Sequence, residues 1–241
     1  MCKESNNIVE SLSTDKYTIY IYLDECVESP RDWFDNFGTM VTAHKRYSFG
    51  CKNDVKMYFL DDVVEYLYEM AINDYAVCSV IKSILRHKER DVKKNHEINS
   101  YDARHEDNIN DWIKDFFDPN DVIAIMRKLG YVILPLHIYD HGGVSMNTVS
   151  YTCPWDSGQV GFVYATPEKI KNEFKTVNGG VLQHVEEIIS SEIATYSDYL
   201  EGEVYGFYIV DNSDNLIDSC GGFYGYESIR EIKDDFMRNY S

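Results

Sequence analysis

This 241-residue sequence predicts an α+β fold: a mainly antiparallel sheet with helices packed on one side and a helical insertion. Three observations carry that expectation. Short β-branched and aromatic runs cluster toward both ends of the chain, where such side chains suit a pleated, half-buried surface. Apolar residues at helical spacing fill residues 53–130. Polar turns rich in Gly, Asn and Asp join neighbouring strand candidates, as antiparallel pairing requires. Hydrophobic residues make up 44% of the chain, which is enough for a core and excludes global disorder. A single domain over 1–241 is expected, with 53–130 as a helical insertion or subdomain.

Taken in order, residues 1–15 are polar and are expected to be frayed at the start. Tyr17–Leu23 (YTIYIYL) is a strand, and Glu28–Arg31 is a turn or short helical entry. Asp35–Gly38 reads as a turn before a strand over Thr39–Tyr47. Val63, Val64, Leu67, Met70 and Ala71 share one helical face, as do Val77, Val80, Ile81, Ile84 and Leu85. A mixed-charge run covers residues 86–107 and reads as a solvated helix end and loop. Ile109, Trp112, Ile113, Phe116 and Phe117 mark another helix. Asp118-Pro119 then restarts a helix that Gly130 ends.

The stretch Tyr131–Tyr164 holds three strand candidates: Tyr131–Tyr139, broken by Pro135, then Val144–Tyr151 and Val160–Ala165. Their short turns predict a meander. Thr166-Pro167 caps a helix toward Phe174, and Gly179-Gly180 separates it from a longer one. Val204–Val210 is a strand, Asp211–Asn215 a hairpin loop, and Leu216–Ser219 the returning strand. Gly221-Gly222 leads to a last helix bearing Ile229, Ile232 and Phe236. The five main strands are expected in one sheet.

Charge excludes some functions. The formal charge is −18, from 41 acidic and 23 basic residues. Such a field repels nucleic-acid backbone and anionic lipid and attracts basic protein surfaces. Direct nucleic-acid or membrane binding is therefore not expected. No apolar run reaches the length of a membrane helix, and no apolar leader is read at the N-terminus. The six Cys are scattered without a CxxC pair, which fits free thiols in a reducing cytoplasm.

Three runs carry a resemblance: SPRDWFDNFGTMVTAHKRYSFG from Ser29, CPWDSGQVGFVY from Cys153, and GEVYGFYIVDNSDNLIDSCGGFYG from Gly202. Together they resemble a family of uncharacterised proteins from phages and plasmids of Gram-positive bacteria. The resemblance implies origin: a mobile-element protein acting inside a bacterial cell. It brings no established activity and no site residues.

Two function classes follow. The first is a cytoplasmic mobile-element factor whose acidic, Tyr-rich surface engages a basic host protein, such as a nucleic-acid-binding defence protein. That would make it a counter-defence inhibitor of the anti-restriction or anti-CRISPR kind. Its candidate binding residues are Asp35, Asn36, His44, Arg46, Trp155, Asp156, Asp234 and Asp235. Arg46 suits a carboxylate or phosphate, and His44 can gain or lose a proton near neutral pH. The second class is a small hydrolase or transferase. There Cys153 would be the nucleophile and His137 or His141 the base, with Asp140 alongside. His137, Asp140 and His141 lie close enough in sequence to hold a divalent metal, but spacing fixes no third ligand and the more common meaning is a polar strand end. Neither a metal nor a cofactor is expected, since no Walker loop, dinucleotide fingerprint or nucleophile elbow is present.

Overall fold

A computed structural model describes residues 7–72 and 119–240. The fold is α+β, with two mostly antiparallel sheets and helices against them. The described chain forms two compact units: residues 7–35, 138–147 and 191–240, and residues 36–72, 119–137 and 148–190.

The first unit is built on a four-stranded sheet of β1 (Ile8–Ser13), β2 (Tyr17–Leu23), β8 (Val204–Asp211) and β9 (Leu216–Tyr224), in the order β1-β2-β8-β9. All three pairings are antiparallel. Residues 8–13, read from the sequence only as part of a polar stretch, form a strand: Leu12 faces Ile19 across the pair and packs on the core, and that contact offsets the polar neighbours. Alternation along β2 sends Ile19 and Ile21 to one buried face. There they meet Tyr205 and Ile209 of β8. The same core takes Ile229, Ile232 and Phe236 from the last helix, α6 (Glu227–Tyr240). Their spacing of three and four residues puts them on one helical face. On the other face of the sheet Tyr20 and Tyr208 stack across strands, with centroids 5.0 Å apart. β9 runs past the expected Leu216–Ser219 to Tyr224, so Gly221 and Gly222 lie in the strand, not at a helix entry.

The second unit takes its core from β3 (Thr39–Ala43), β4 (Val55–Met57), β5 (Val132–Asp140) and β7 (Ser157–Ala165). The strand order of this second sheet is β4-β3-β7-β5-β6, with β6 at Val144–Asn147. β3 pairs parallel with β4 and antiparallel with β7. Two helices, α2 (Leu60–Ile72) and α3 (Pro119–Lys128), bury Val63, Val64, Leu67, Ile125 and Met126 against Val41, Ile133 and Phe162. Gly130, at φ 87°, ends α3: its N–H and that of Tyr131 donate to the carbonyls of Arg127 and Met126. Gly161, at φ 154°, sits opposite Thr42, and a Cβ there would lie 1.9 Å from the Val41 carbonyl oxygen. The close approach of β3 and β7 therefore requires glycine.

Two further helices complete the described chain. In α4 (Pro167–Phe174) the Thr166 hydroxyl accepts from the Lys169 N–H at 3.1 Å. The long α5 runs Gly179–Glu201, so Gly179 and Gly180 open the helix instead of preceding it. The chain changes unit after Asp35, after His137 in β5, after Asn147 and after Ser190 in α5.

Several expectations are corrected. The five main strands are all strands but occupy two sheets, because alternation identifies a strand without naming its neighbour. Tyr131–Tyr164 is no meander: β5 stands between β7 and β6, since β6 stops at Asn147 and residues 148–156 form a long loop. β5 continues through Pro135, which lacks an N–H but whose fixed φ is compatible with extended backbone. The strand from Thr39 stops at Ala43 instead of Tyr47. His44 Nδ1 accepts the N–H groups of Arg46 and Tyr47 at 3.2 and 3.1 Å, and this turns the chain. Cys26 is disulfide-bonded, while Cys51, Cys153 and Cys220 are free. Sequence spacing does not reveal which thiols the fold brings within bonding distance. The expected helices around residues 77–85 and 109–117, and the mixed-charge run 86–107, lie outside the described residues.

Candidate functional site

One recess in the first unit lies where the segment after β2 meets the end of β9. It has a volume of about 390 Å³, within the roughly 300–1,000 Å³ range of small-ligand sites. Asp24, Val27 and Glu28 line it from one side, Trp33 and Phe34 from another, and Gly221, Gly222 and Tyr224 from the strand. Two of the three runs that carry the resemblance thus meet here: SPRDWF and SCGGFYG.

Local sequence explains how the two exposed aromatics are presented. Ser29 is the N-cap of the one-turn helix α1 (Pro30–Trp33), its hydroxyl accepting the Arg31 N–H at 3.2 Å. Pro30 occupies the first turn, where its missing N–H costs nothing. Phe34 N–H donates to the Pro30 carbonyl at 3.1 Å and closes the turn. In this short turn Arg31 points inward, only 4% exposed, and pairs with Glu192 of α5 at 3.6 Å. Trp33 and Phe34 point outward, 69% and 49% exposed. A buried ion pair therefore anchors the turn that holds two aromatics in solvent. Phe34 meets the Tyr224 ring edge-on at 5.9 Å. Tyr224 in turn donates its hydroxyl hydrogen to the Glu28 carbonyl at 3.0 Å.

The carboxylate at the base of the recess is held by backbone. Asp24 accepts the Cys26 N–H on Oδ1 and the Gly222 N–H on Oδ2, both at 3.2 Å. A Cβ at Gly221 would come within 2.4 Å of Asp24 Oδ2, so the absence of a side chain there makes the space for this carboxylate. None of the lining residues is cationic. The negative field is felt by two phenols. Burial raises the Tyr22 pKa, and Asp24 adds to that shift. Burial likewise raises Tyr224, with smaller contributions from Tyr199, Asp24 and Glu28.

The residues singled out in the sequence are divided between the units. Asp35, Asp140, His141, Asp234 and Asp235 belong to the first, while Asn36, His44, Arg46, His137, Cys153, Trp155 and Asp156 belong to the second. Asp35 is exposed just beyond α1. Asp234 and Asp235 are exposed on α6, where Asp235 pairs with Arg238 at 2.7 Å. His141 stacks on Tyr139 at 6.0 Å. Asn36 offers its carbonyl to Lys169 Nζ at 2.9 Å. His44 stacks on Tyr47 at 5.0 Å, and its Nδ1 is occupied as an acceptor, which puts the neutral imidazole proton on Nε2. The Arg46 guanidinium lies 5.4 Å over the Tyr47 ring. Burial lowers the pKa of His137. Trp155 is 90% exposed. Cys153 Sγ contacts Asp156 Oδ2 at 3.9 Å, and the Ser157 hydroxyl donates to the Cys153 carbonyl, so these groups shape the turn they sit in. Among the described residues no set of three or more His, Cys, Asp or Glu side chains is placed to hold a metal ion.

Reasoning from sequence missed Asp24, Glu28, Trp33, Phe34 and Tyr224. One signal was present: Arg31 is the only base among eight acids in residues 1–35 besides Lys3 and Lys16, and it follows a Ser-Pro cap. Such a base tends to be drawn into an ion pair. No protein-family model, curated protein or solved structure matches this chain.

Proposed function

We propose that this chain is an acidic mobile-element protein that binds a basic host protein, as a counter-defence inhibitor would, and that the first unit is the part that binds. The observation that carries the reading is where the charge lies. The described residues of the first unit contain 19 acidic and 5 basic side chains, a net −14, against −18 for the whole chain. Four of those five bases are already engaged: Arg31 with Glu192, Arg230 with Glu227, Lys233 with Glu10 and Arg238 with Asp235. Apart from Lys16, what is left to face a partner is carboxylate, and its long-range attraction speeds encounter with basic surfaces.

In this reading the action takes place inside a bacterial cell, a compartment in which a disulfide such as that of Cys26 is uncommon. Among the described residues no helix is long and apolar enough to cross a membrane.

The test is plasmid or phage establishment in a bacterial host that carries a nucleic-acid-binding defence system. The intact chain should raise establishment. The pair Asp234→Lys and Asp235→Lys should weaken that effect, and partner binding should slow mainly in its on-rate and with added salt. Cys153→Ala and His141→Ala should leave it intact. Loss of the effect in a folded Cys153→Ala protein, with the lysine pair silent, would replace the binding reading with a hydrolase or transferase.

A further inference from the structure

We propose that the recess between α1 and β9 takes one arginine side chain from a basic protein segment; the inference rests on the acidic-surface reading above and names what that surface recognises. A neutral apolar occupant would strip water from the Asp24 and Glu28 carboxylates without pairing them, which is costly. An anion would be repelled. A cation is the occupant that both the carboxylates and the aromatics favour.

Among cations, the geometry selects guanidinium over ammonium. Trp33 and Phe34 are exposed and line the recess together with the two acidic residues Asp24 and Glu28. A planar guanidinium stacks on an aromatic face and can present two parallel N–H groups to a carboxylate at the same time. An ammonium is a compact, strongly hydrated point charge that gains less from either contact. Asp24 is already oriented: each of its oxygens accepts one backbone N–H and keeps a lone pair for a further donor. The ion pair of Arg31 and Glu192 holds the aromatic turn in place before the partner arrives, which lowers the ordering cost of binding. The volume exceeds what a guanidinium alone requires, so the stem of the side chain and a short length of its backbone can enter too.

The probes are fluorescent nona-arginine and nona-lysine peptides, equal in length and charge, titrated by anisotropy into the intact chain at near-physiological salt. The expected result is roughly ten-fold tighter binding of the arginine peptide, in the range that cation–π stacking supplies. Trp33→Ala should bring the two affinities within about three-fold while leaving lysine-peptide binding nearly unchanged, since only stacking is removed. Glu28→Gln provides a second variant that also narrows the ratio. Asp234→Asn with Asp235→Asn should weaken both peptides and leave the ratio alone. Equal affinities in the wild-type chain, or a ratio that survives in folded Trp33→Ala, would overturn the arginine recess and leave the acidic-surface reading standing. Failure of both peptides to bind would overturn the two together.

Discussion

Replacing Arg31 with Met tests whether the buried ion pair anchors the first unit. The guanidinium is 2% exposed and lies 3.6 Å from a Glu192 carboxylate that keeps 17% of its side-chain surface. Removing one partner of a buried pair costs about 3–5 kcal/mol, most of it the penalty of stranding the other charge. Because Glu192 retains some access to water, the low end applies, about 3 kcal/mol. With a urea m-value of about 1–2 kcal/mol/M, the midpoint should fall by about 1.5–3 M. Far-UV circular dichroism across a urea series reads this directly. The double variant Arg31→Met with Glu192→Leu should recover about 2 kcal/mol, because it removes the stranded charge along with the pair. A loss below about 1 kcal/mol in the single variant, or additivity in the double, would refute the argument. Either outcome would mean that the turn bearing Trp33 does not depend on this ion pair.

Two further outcomes follow from the first unit. Asp198 has its pKa raised to about 6, by burial first and then by Glu203 and Glu201. The native state therefore holds this proton more tightly than the unfolded chain does, and its contribution to stability falls as pH rises from about 4 to about 6. Asp198→Asn should stabilise the protein at pH 7 and have no such benefit at pH 4; a carboxyl midpoint near 4 by NMR titration would contradict this. The Ser197 hydroxyl accepts the Met146 N–H at 2.8 Å in a buried setting and donates to Glu201 at 2.9 Å. Ser197→Ala should strand that N–H and cost about 1–3 kcal/mol in thermal or urea unfolding, and a variant as stable as wild type would argue against the bond.

Residue pattern made the elements legible but not their partners. Tyr17–Leu23 and Glu227–Tyr240 could be read from side-chain type and spacing because each buries one face on a nearby core. Pairing could not be read. Val144–Asn147 alternates and Val160–Ala165 is apolar throughout, yet neither pattern shows that the first strand stops after four residues or that the second pairs with β3. Strand ends set by one side chain, such as the Nδ1 acceptor of His44, leave no periodic trace. The recess was hidden for the same reason: Trp33 and Tyr224 are far apart in sequence, and only the route of the chain brings them together. The acidity was legible in total, but its concentration in one unit depends on how segments 7–35 and 191–240 assemble.

The pairing of β2 with β8 also orders events in time. Leu23 waits for Tyr205, and the intervening length of about 180 residues takes a ribosome about 10–40 s at bacterial or slower speeds. Throughout that interval YTIYIYL is synthesised without its central partner. Of its eventual neighbours it has only β1, and two strands alone are marginal in water. A tyrosine- and isoleucine-rich strand in that condition is a template for intermolecular pairing. The acids that flank it, Glu10 and Asp15 before and Asp24, Glu25 and Glu28 after, repel other copies of the same nascent segment. The charge that draws a basic partner to the finished protein thus also guards the chain while it is being made. Neutralising these five acids should lower the soluble yield at high expression even where the folded protein is no less stable.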